Sequence, residues 1–297
     1  MKVDRALLGK VGALKVALNG LAVGSQLGDR RSPFRGRGME FADHRPYRAG
    51  DDLRLVDWNV YNRLRKLLVR IFHEDRNLHL GLCLDCSASM GVGTPRKADH
   101  GATLTAAIAL IALKQRDTVT LSLAGGSASQ ARIRGHQAAS FARMLSALET
   151  CEPEGAPDLS DVIRRLTERG RMDRAILVSD MLVDEATVEA TLRTLTTVAS
   201  RPVLLHVLDR SEVAPDLKEG IEAIDSETGE VLHVGDHKGL HKAYQKALSD
   251  YLEHLRGRCA AFRVHYEVAY TSIPVQSLIL DSLRRSRVVQ SARGGGR

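Results

Sequence analysis

Residues 78–90 read "LHLGLCLDCSASM", and the fold is decided there. An apolar run (78–84) stops at Asp85, and Asp85, Ser87 and Ser89 then alternate ahead of a glycine-containing loop, "GVGTP" (91–95). A short, dense apolar run bounded by a turn is the signature of a strand buried on both faces. A helical segment follows at 97–115, then a second apolar run at 118–124. The alternation continues with helices at 137–149 and 159–170, a strand at 174–180, a helix at 184–199 and a strand at 202–208. Such a rhythm predicts an α/β fold, a doubly wound and mostly parallel sheet flanked by helices, with right-handed crossovers. "ARIRG" (131–135) reads as a short antiparallel edge strand.

Further from this stretch the pattern loosens. Leu7, Leu8, Val11, Leu14, Leu18 and Leu21 recur at helical spacing and predict a helix over 4–22. Residues 24–50 are rich in glycine, arginine and proline, with little periodicity. Residues 220–234 suggest a hairpin, followed by a helix at 237–257, a strand at 261–270 and a last helix at 274–286. The expected organisation is an N-terminal helix and signature segment (1–77), a main domain (78–290) and a disordered tail (291–297).

Composition narrows the classes. With 43% hydrophobic and 27% charged residues in 297, the chain can bury a core without staples. Aromatics at 4% leave that core to Leu, Val, Ile and Ala. The net charge of +7 is spread along the chain, and no nucleic-acid motif accompanies it, so nucleic acid is set aside as a partner. Cys83 and Cys86 form a CxxC, but Cys83 lies inside the apolar run, and neither zinc spacing nor a helix-opening redox motif is present. All four cysteines read as reduced apolar residues, and the expected location is cytoplasmic. No apolar stretch reaches the ~20 residues of a bilayer span. Lys10 and Lys15 break the N-terminal run into an amphipathic helix, for which docking or a membrane-surface contact is the minority reading.

The alternating Asp85, Ser87 and Ser89 invite a chemical reading. "RAILVSD" (174–180) is a second strand ending in aspartate, Asp180. In doubly wound sheets ligands bind beyond the carboxyl ends of the strands, where strand order reverses. Two carboxylates and two hydroxyls at that edge form an all-oxygen set suited to a hard cation, most naturally Mg²⁺ keeping several waters, with Asp180 joining directly or through water. The competing reading is structural, with Ser87 and Ser89 bonding loop amides and Asp85 capping a turn.

"DCSASM", the ensuing helix and "LVSD" resemble the von Willebrand factor A domain and its metal-ion-dependent adhesion site. Its Asp-x-Ser-x-Ser motif falls on Asp85, Ser87 and Ser89, and its strand-closing Asp on Asp180. The family's loop threonine would fall in "EPEGAPDLSDVI" (152–163), where Pro157 stands without a hydroxyl, leaving Asp158 and Ser160 as second-loop candidates. Residues 36–76 resemble the signature of a bacterial domain-of-unknown-function family, number fifty-eight. The match falls on Gly38, Glu40, Phe41, Arg45, Tyr47, Gly50, Asp51, Asp52, Arg54, Asp57 and Trp58. That resemblance implies a von Willebrand A-type fold and a functional link to a MoxR-type AAA+ ATPase. In the segment itself, Glu40, Asp51, Asp52 and Asp57 alternate with Arg45, Arg54 and Arg63, which suits a bidentate ion-pair network docking the segment, with Trp58 as a buried anchor. A partner-recognition surface is the alternative.

Two functions compete. The first is a non-enzymatic interaction module whose metal accepts an acidic side chain from a protein ligand. The second is a metal-dependent hydrolase, a phosphatase or nuclease, using the same aspartates. Against the second, a haloacid-dehalogenase-type phosphatase needs Asp-x-Asp, and Ser87 holds the second position. His73, His79, His100 and His136 belong to no recognisable triad motif, and no Walker A sequence is present.

Overall fold

The computed structural model describes residues 1–11, 39–74, 77–126, 131–156, 158–167, 171–215, 222–224, 231–233 and 240–279. The chain divides into two compact units, Gly24–Asn77 on the one hand and Met1–Val23 with Leu78–Arg297 on the other.

The larger unit opens with α1 (Arg5–Val11), capped by Asp4, whose Oδ1 accepts from the Leu7 amide at 3.0 Å. The remainder of the helix expected to residue 22 lies outside the described residues. Beyond the second unit come β3 (His79–Asp85), α3 (Lys97–Lys114), β4 (Thr118–Ala124), β5 (Arg132–Gly135), α4 (Ala138–Thr150) and α5 (Leu159–Arg164). They are followed by β6 (Met172–Ser179), α6 (Glu185–Val198), β7 (Ala199–Leu208) and α7 (Arg210–Val213). A small antiparallel pair, β8 (Glu222–Ile224) and β9 (Val231–His233), precedes α8 (Leu240–Ala261), β10 (His265–Tyr270) and α9 (Val275–Ser277). The hairpin's turn, most of the last expected helix and the tail lie outside the described residues. Helix α5 ends sooner than the sequence pattern suggested.

Among the described residues, six strands form one sheet in the order β10-β7-β6-β3-β4-β5. All neighbours are parallel except β5, which runs antiparallel to β4 at the edge. Period-two alternation sends Leu80, Leu82 and Leu84 to one face, against Ala98, Ala102 and Ile108 of α3 and Met144 and Leu148 of α4. Cys83, Ala175 and Leu177 go to the other, against Leu159 and Ile163 of α5, Leu192 and Leu195 of α6, and Leu255 of α8. Helix α3 is buried on nearly every side, which its alanine-rich sequence permits. Strand order reverses at β3, with β4 on one side and β6 on the other. All four cysteines are buried and none is joined in a disulfide, and Cys83 and Cys86 belong to core clusters on opposite faces of the sheet. Among the described residues, no helix is long and apolar enough to cross a membrane.

Near the start of β4, Asp117 is 4% exposed and accepts from the Leu78 amide through Oδ1 at 2.9 Å, while Oδ2 finds no partner among the described residues. Burial, helped by Asp173, pushes its carboxyl up to about 6. The folded chain therefore binds more protons than the unfolded chain between about pH 4 and 6, and stability falls as pH rises through that window. Asp117→Asn keeps the acceptor and removes the charge. It should stabilise the chain by about 1–2 kcal/mol above pH 6 and by little below pH 4. Urea midpoints at pH 4 and pH 7.5 check this, and an equal shift at both would refute it.

The smaller unit corrects one expectation. Within the stretch read as aperiodic, β1 (Met39–Pro46) pairs antiparallel with β2 (Leu68–Glu74). Polar residues on β1 (Asp43, His44 and Arg45) hid a strand that backbone pairing sustains. Between the two lie a 3₁₀ turn (Leu53–Leu55) and α2 (Trp58–Leu64). Arg45 grips Asp51 with both nitrogens, at 2.7 and 2.8 Å, and with the Arg48 amide holds its carboxyl down at about 2. Asp52 turns the other way and caps the 3₁₀ turn through the Arg54 amide, while Asp57 caps α2 and bonds His44 at 2.9 Å. Tyr47 extends the ladder through its amide to the Leu67 carbonyl. Trp58 is not the buried anchor expected: it stays 53% exposed, edge-on to Tyr61. Val56 and Val69, bridged across the hairpin, are buried instead.

Candidate functional site

Asp85 and Asp180 meet where the sheet reverses. Asp85 ends β3, and Asp180 follows the last residue of β6. Asp85, Ser87, Ser89 and Asp180 are all buried, between 1% and 3% exposed. The Asp85 carboxylate accepts from the Ser87 amide at 2.9 Å through Oδ1 and from the Ser179 hydroxyl at 2.6 Å through Oδ2. Ser179 in turn accepts from the Met181 amide at 2.9 Å, so β6 locks the carboxylate from behind. The Ser87 and Ser89 hydroxyls lie 2.9 Å apart. Burial, then the charge of Asp180, pushes the Asp85 carboxyl up to about 7, against the lowering effect of Ser179 and Ser87.

A second loop is stitched to the first by backbone. The Ala88 amide donates to Gly155, Glu154 donates to Cys86, and Gly126 donates to Glu154, at 2.9, 2.9 and 3.0 Å. Gly126 sits at φ +68°, and a Cβ there would come 2.4 Å from the Glu152 carbonyl oxygen. Of the second-loop candidates, Asp158 is exposed and spends Oδ1 on the Asp161 amide as the cap of α5. Ser160 is buried in the first turn of α5, and Pro157 lies outside the described residues.

One participant escaped the sequence reading. Lys97, the first residue of α3, is fully buried, and its ammonium donates to Asp180 Oδ2 at 2.7 Å and to Glu212 Oε1. Burial alone would lower this amine, but the charges and hydrogen bonds of Asp180 and Glu212 outweigh it and hold its pKa above the usual lysine range. Glu212 belongs to α7, where its Oε2 accepts from the Asp209 amide at 2.8 Å in a capping box. Asp209 follows the last residue of β7, as Asp180 follows that of β6, so it is a third aspartate at a strand end; it bonds Ser211 and Thr271 and caps α7. His206, on β7 beside Ser179, bonds the Tyr266 hydroxyl at 2.8 Å, and burial lowers its ring to about 4.

The donor set can be tested against a hard cation. Neighbouring ligands about 2.1 Å from an octahedral Mg²⁺ lie roughly 3 Å apart. The Ser87–Ser89 spacing fits that edge, with Asp85 bonded alongside. Asp180 and Glu212 are paired with the Lys97 ammonium, which leaves Asp85 as the carboxylate beside the two hydroxyls. The fit is to hydroxyls and a single carboxylate: among the described residues no cluster of three or more His, Cys, Asp or Glu is placed to hold a metal.

A protein of this architecture, with this strand-end constellation, belongs to a recognised family: residues 43–253 match the model of the family described as "Protein of unknown function DUF58", and the chain is a member. Its curated relatives include the uncharacterized proteins Mb1516 of Mycobacterium bovis and Rv1480 of Mycobacterium tuberculosis. Each is 30% identical over 177 residues, covering 57% of this chain and 54% of theirs. The chain thus spans about half the length of the curated relatives it matches. Among solved structures, the conserved hypothetical protein BatB of Bacteroides thetaiotaomicron overlays with a TM-score of 0.41 at 13% identity, over 71% of this chain and 95% of that one. An aerotolerance-related membrane protein of Bacteroides fragilis gives 0.38 at 14%, over 66% and 92%.

Proposed function

We propose that the chain is a non-enzymatic interaction module of von Willebrand A type, whose Asp85, Ser87 and Ser89 hold a divalent cation, Mg²⁺ by donor chemistry. The carrying observation is the convergence of these three oxygen donors at the reversal point of the sheet, with Asp180 following the neighbouring strand β6. A cation bound there supplies an open coordination position for a carboxylate from a protein ligand. Exposed Val92 and Leu182, 46% and 48% accessible, follow the two strand-end loops and offer that ligand an apolar rim. Binding is favoured over turnover because the Ser87 and Ser89 hydroxyls bond each other at 2.9 Å, and among the described residues no histidine is bonded to either as a base. In this reading the protein acts in the cytoplasm with a MoxR-type AAA+ ATPase that remodels its complexes.

Asp85→Ala should abolish Mg²⁺ and Mn²⁺ binding while the chain stays folded. The check is calorimetric titration of chelator-treated wild type and variant, with circular dichroism for the fold. An unchanged affinity in the variant would sink the site assignment.

A further inference from the structure

The lysine at the head of α3 is out of place by ordinary rules. A helix N-terminus carries partial positive charge and disfavours a cation. Burying an ammonium is costly unless it is paired. Lys97 meets both penalties and is still fully buried, because Asp180 and Glu212 converge on it from β6 and α7. Glu212 is itself fixed, since its second oxygen is bound by the Asp209 amide and its carbonyl accepts from the Tyr244 hydroxyl at 2.7 Å. The other Asp180 oxygen accepts from the Leu182 amide at 3.3 Å. Asp180 is thus paired with a cation, whereas both oxygens of Asp85 accept from neutral donors, the Ser87 amide and the Ser179 hydroxyl.

We infer that Lys97 is a tethered cation of this site: its ammonium holds Asp180 out of direct coordination and sets the affinity for a divalent ion low. The inference rests on the reading that Asp85, Ser87 and Ser89 bind such an ion. It assigns Asp180 a water-mediated place and makes Lys97 a positioning residue that tunes affinity. A weak site of this kind is filled firmly only when a protein ligand adds its own carboxylate, so metal and ligand bind cooperatively.

Removing the ammonium deletes a positive charge beside a divalent ion and frees an Asp180 oxygen. Lys97→Met in the full chain should therefore bind Mn²⁺ at least about tenfold more tightly than wild type, followed by electron paramagnetic resonance of free Mn²⁺. Mn²⁺ should also raise the melting temperature of the variant more than that of wild type. Lys97→Gln, whose amide can still donate to the carboxylates, keeps the test open if Lys97→Met does not fold; it should also bind more tightly. Lys97→Arg restores the charge and should return affinity towards wild type. A lysine with a merely structural role predicts the opposite sign, because loosening the site weakens binding. If wild type binds Mn²⁺ and neither neutral variant binds it more tightly, the inference alone fails. If none of the chains binds Mn²⁺, the inference falls together with the metal reading beneath it.

Discussion

Gly126→Ala should lower the unfolding free energy by about 3 kcal/mol, the sum of two effects. The left-handed backbone at φ +68° costs a non-glycine residue roughly 1–2 kcal/mol. The added Cβ would also stand 2.4 Å from the Glu152 carbonyl oxygen and 2.9 Å from Cys151 Sγ, an overlap relieved only by moving backbone, at about 1–3 kcal/mol. The displaced segment, 152–155, is the one whose amides and carbonyls bond Cys86 and Ala88, so the strain reaches the Asp85 loop. Gly155 is the internal control. It also has a positive φ, +67°, but a Cβ there meets no described atom within 4 Å, and Gly155→Ala should cost only about 1 kcal/mol. Urea denaturation of both variants checks the pair, and equal losses would rule out the steric account.

Asp180→Ala should be costlier still, about 3–5 kcal/mol, because it strands a buried ammonium with half its partners. Asp180→Asn, which retains an acceptor, should lose less. Combining Asp180→Ala with Lys97→Met should recover part of the loss, since the orphaned charge goes too, and the double-mutant cycle measures their coupling. A loss below ~1 kcal/mol for Asp180→Ala, measured by denaturation at neutral pH, would contradict the ion pair as described.

The sheet was legible because its strands are buried on both faces. β4 runs over the residues its apolar pattern marked, and Asp85 closes β3 where the run stops. Crossover helices such as α3 and α6 follow from the same alternation. The hairpin of the smaller unit was not legible, because charged residues occupy β1 and no uninterrupted apolar run marks it. Trp58 misled for a related reason: a lone tryptophan suggests an anchor, but here two valines fill that place. At the site, Asp85 and Asp180 could be found because each ends an apolar run, and Asp209 carried the same signal at the close of "VLLHVLD" and was passed over. Lys97 had no such mark. Its partners lie 83 and 115 residues away, and beside "TPR" it reads as a solvated helix start. Only the tertiary packing of α3 shows that its first residue is enclosed.

Strand β5 has a consequence for how the molecule meets others. It is four residues long, runs against its neighbour, and carries Arg132 and Arg134 on an outer border of the sheet. A border that short and that charged is a poor template for a strand from another chain. The sheet is therefore closed to lengthwise recruitment on this side. In the proposed reading a protein ligand meets the loop end of the strands instead, where exposed Val92 and Leu182 follow Asp85 and Asp180 along the chain.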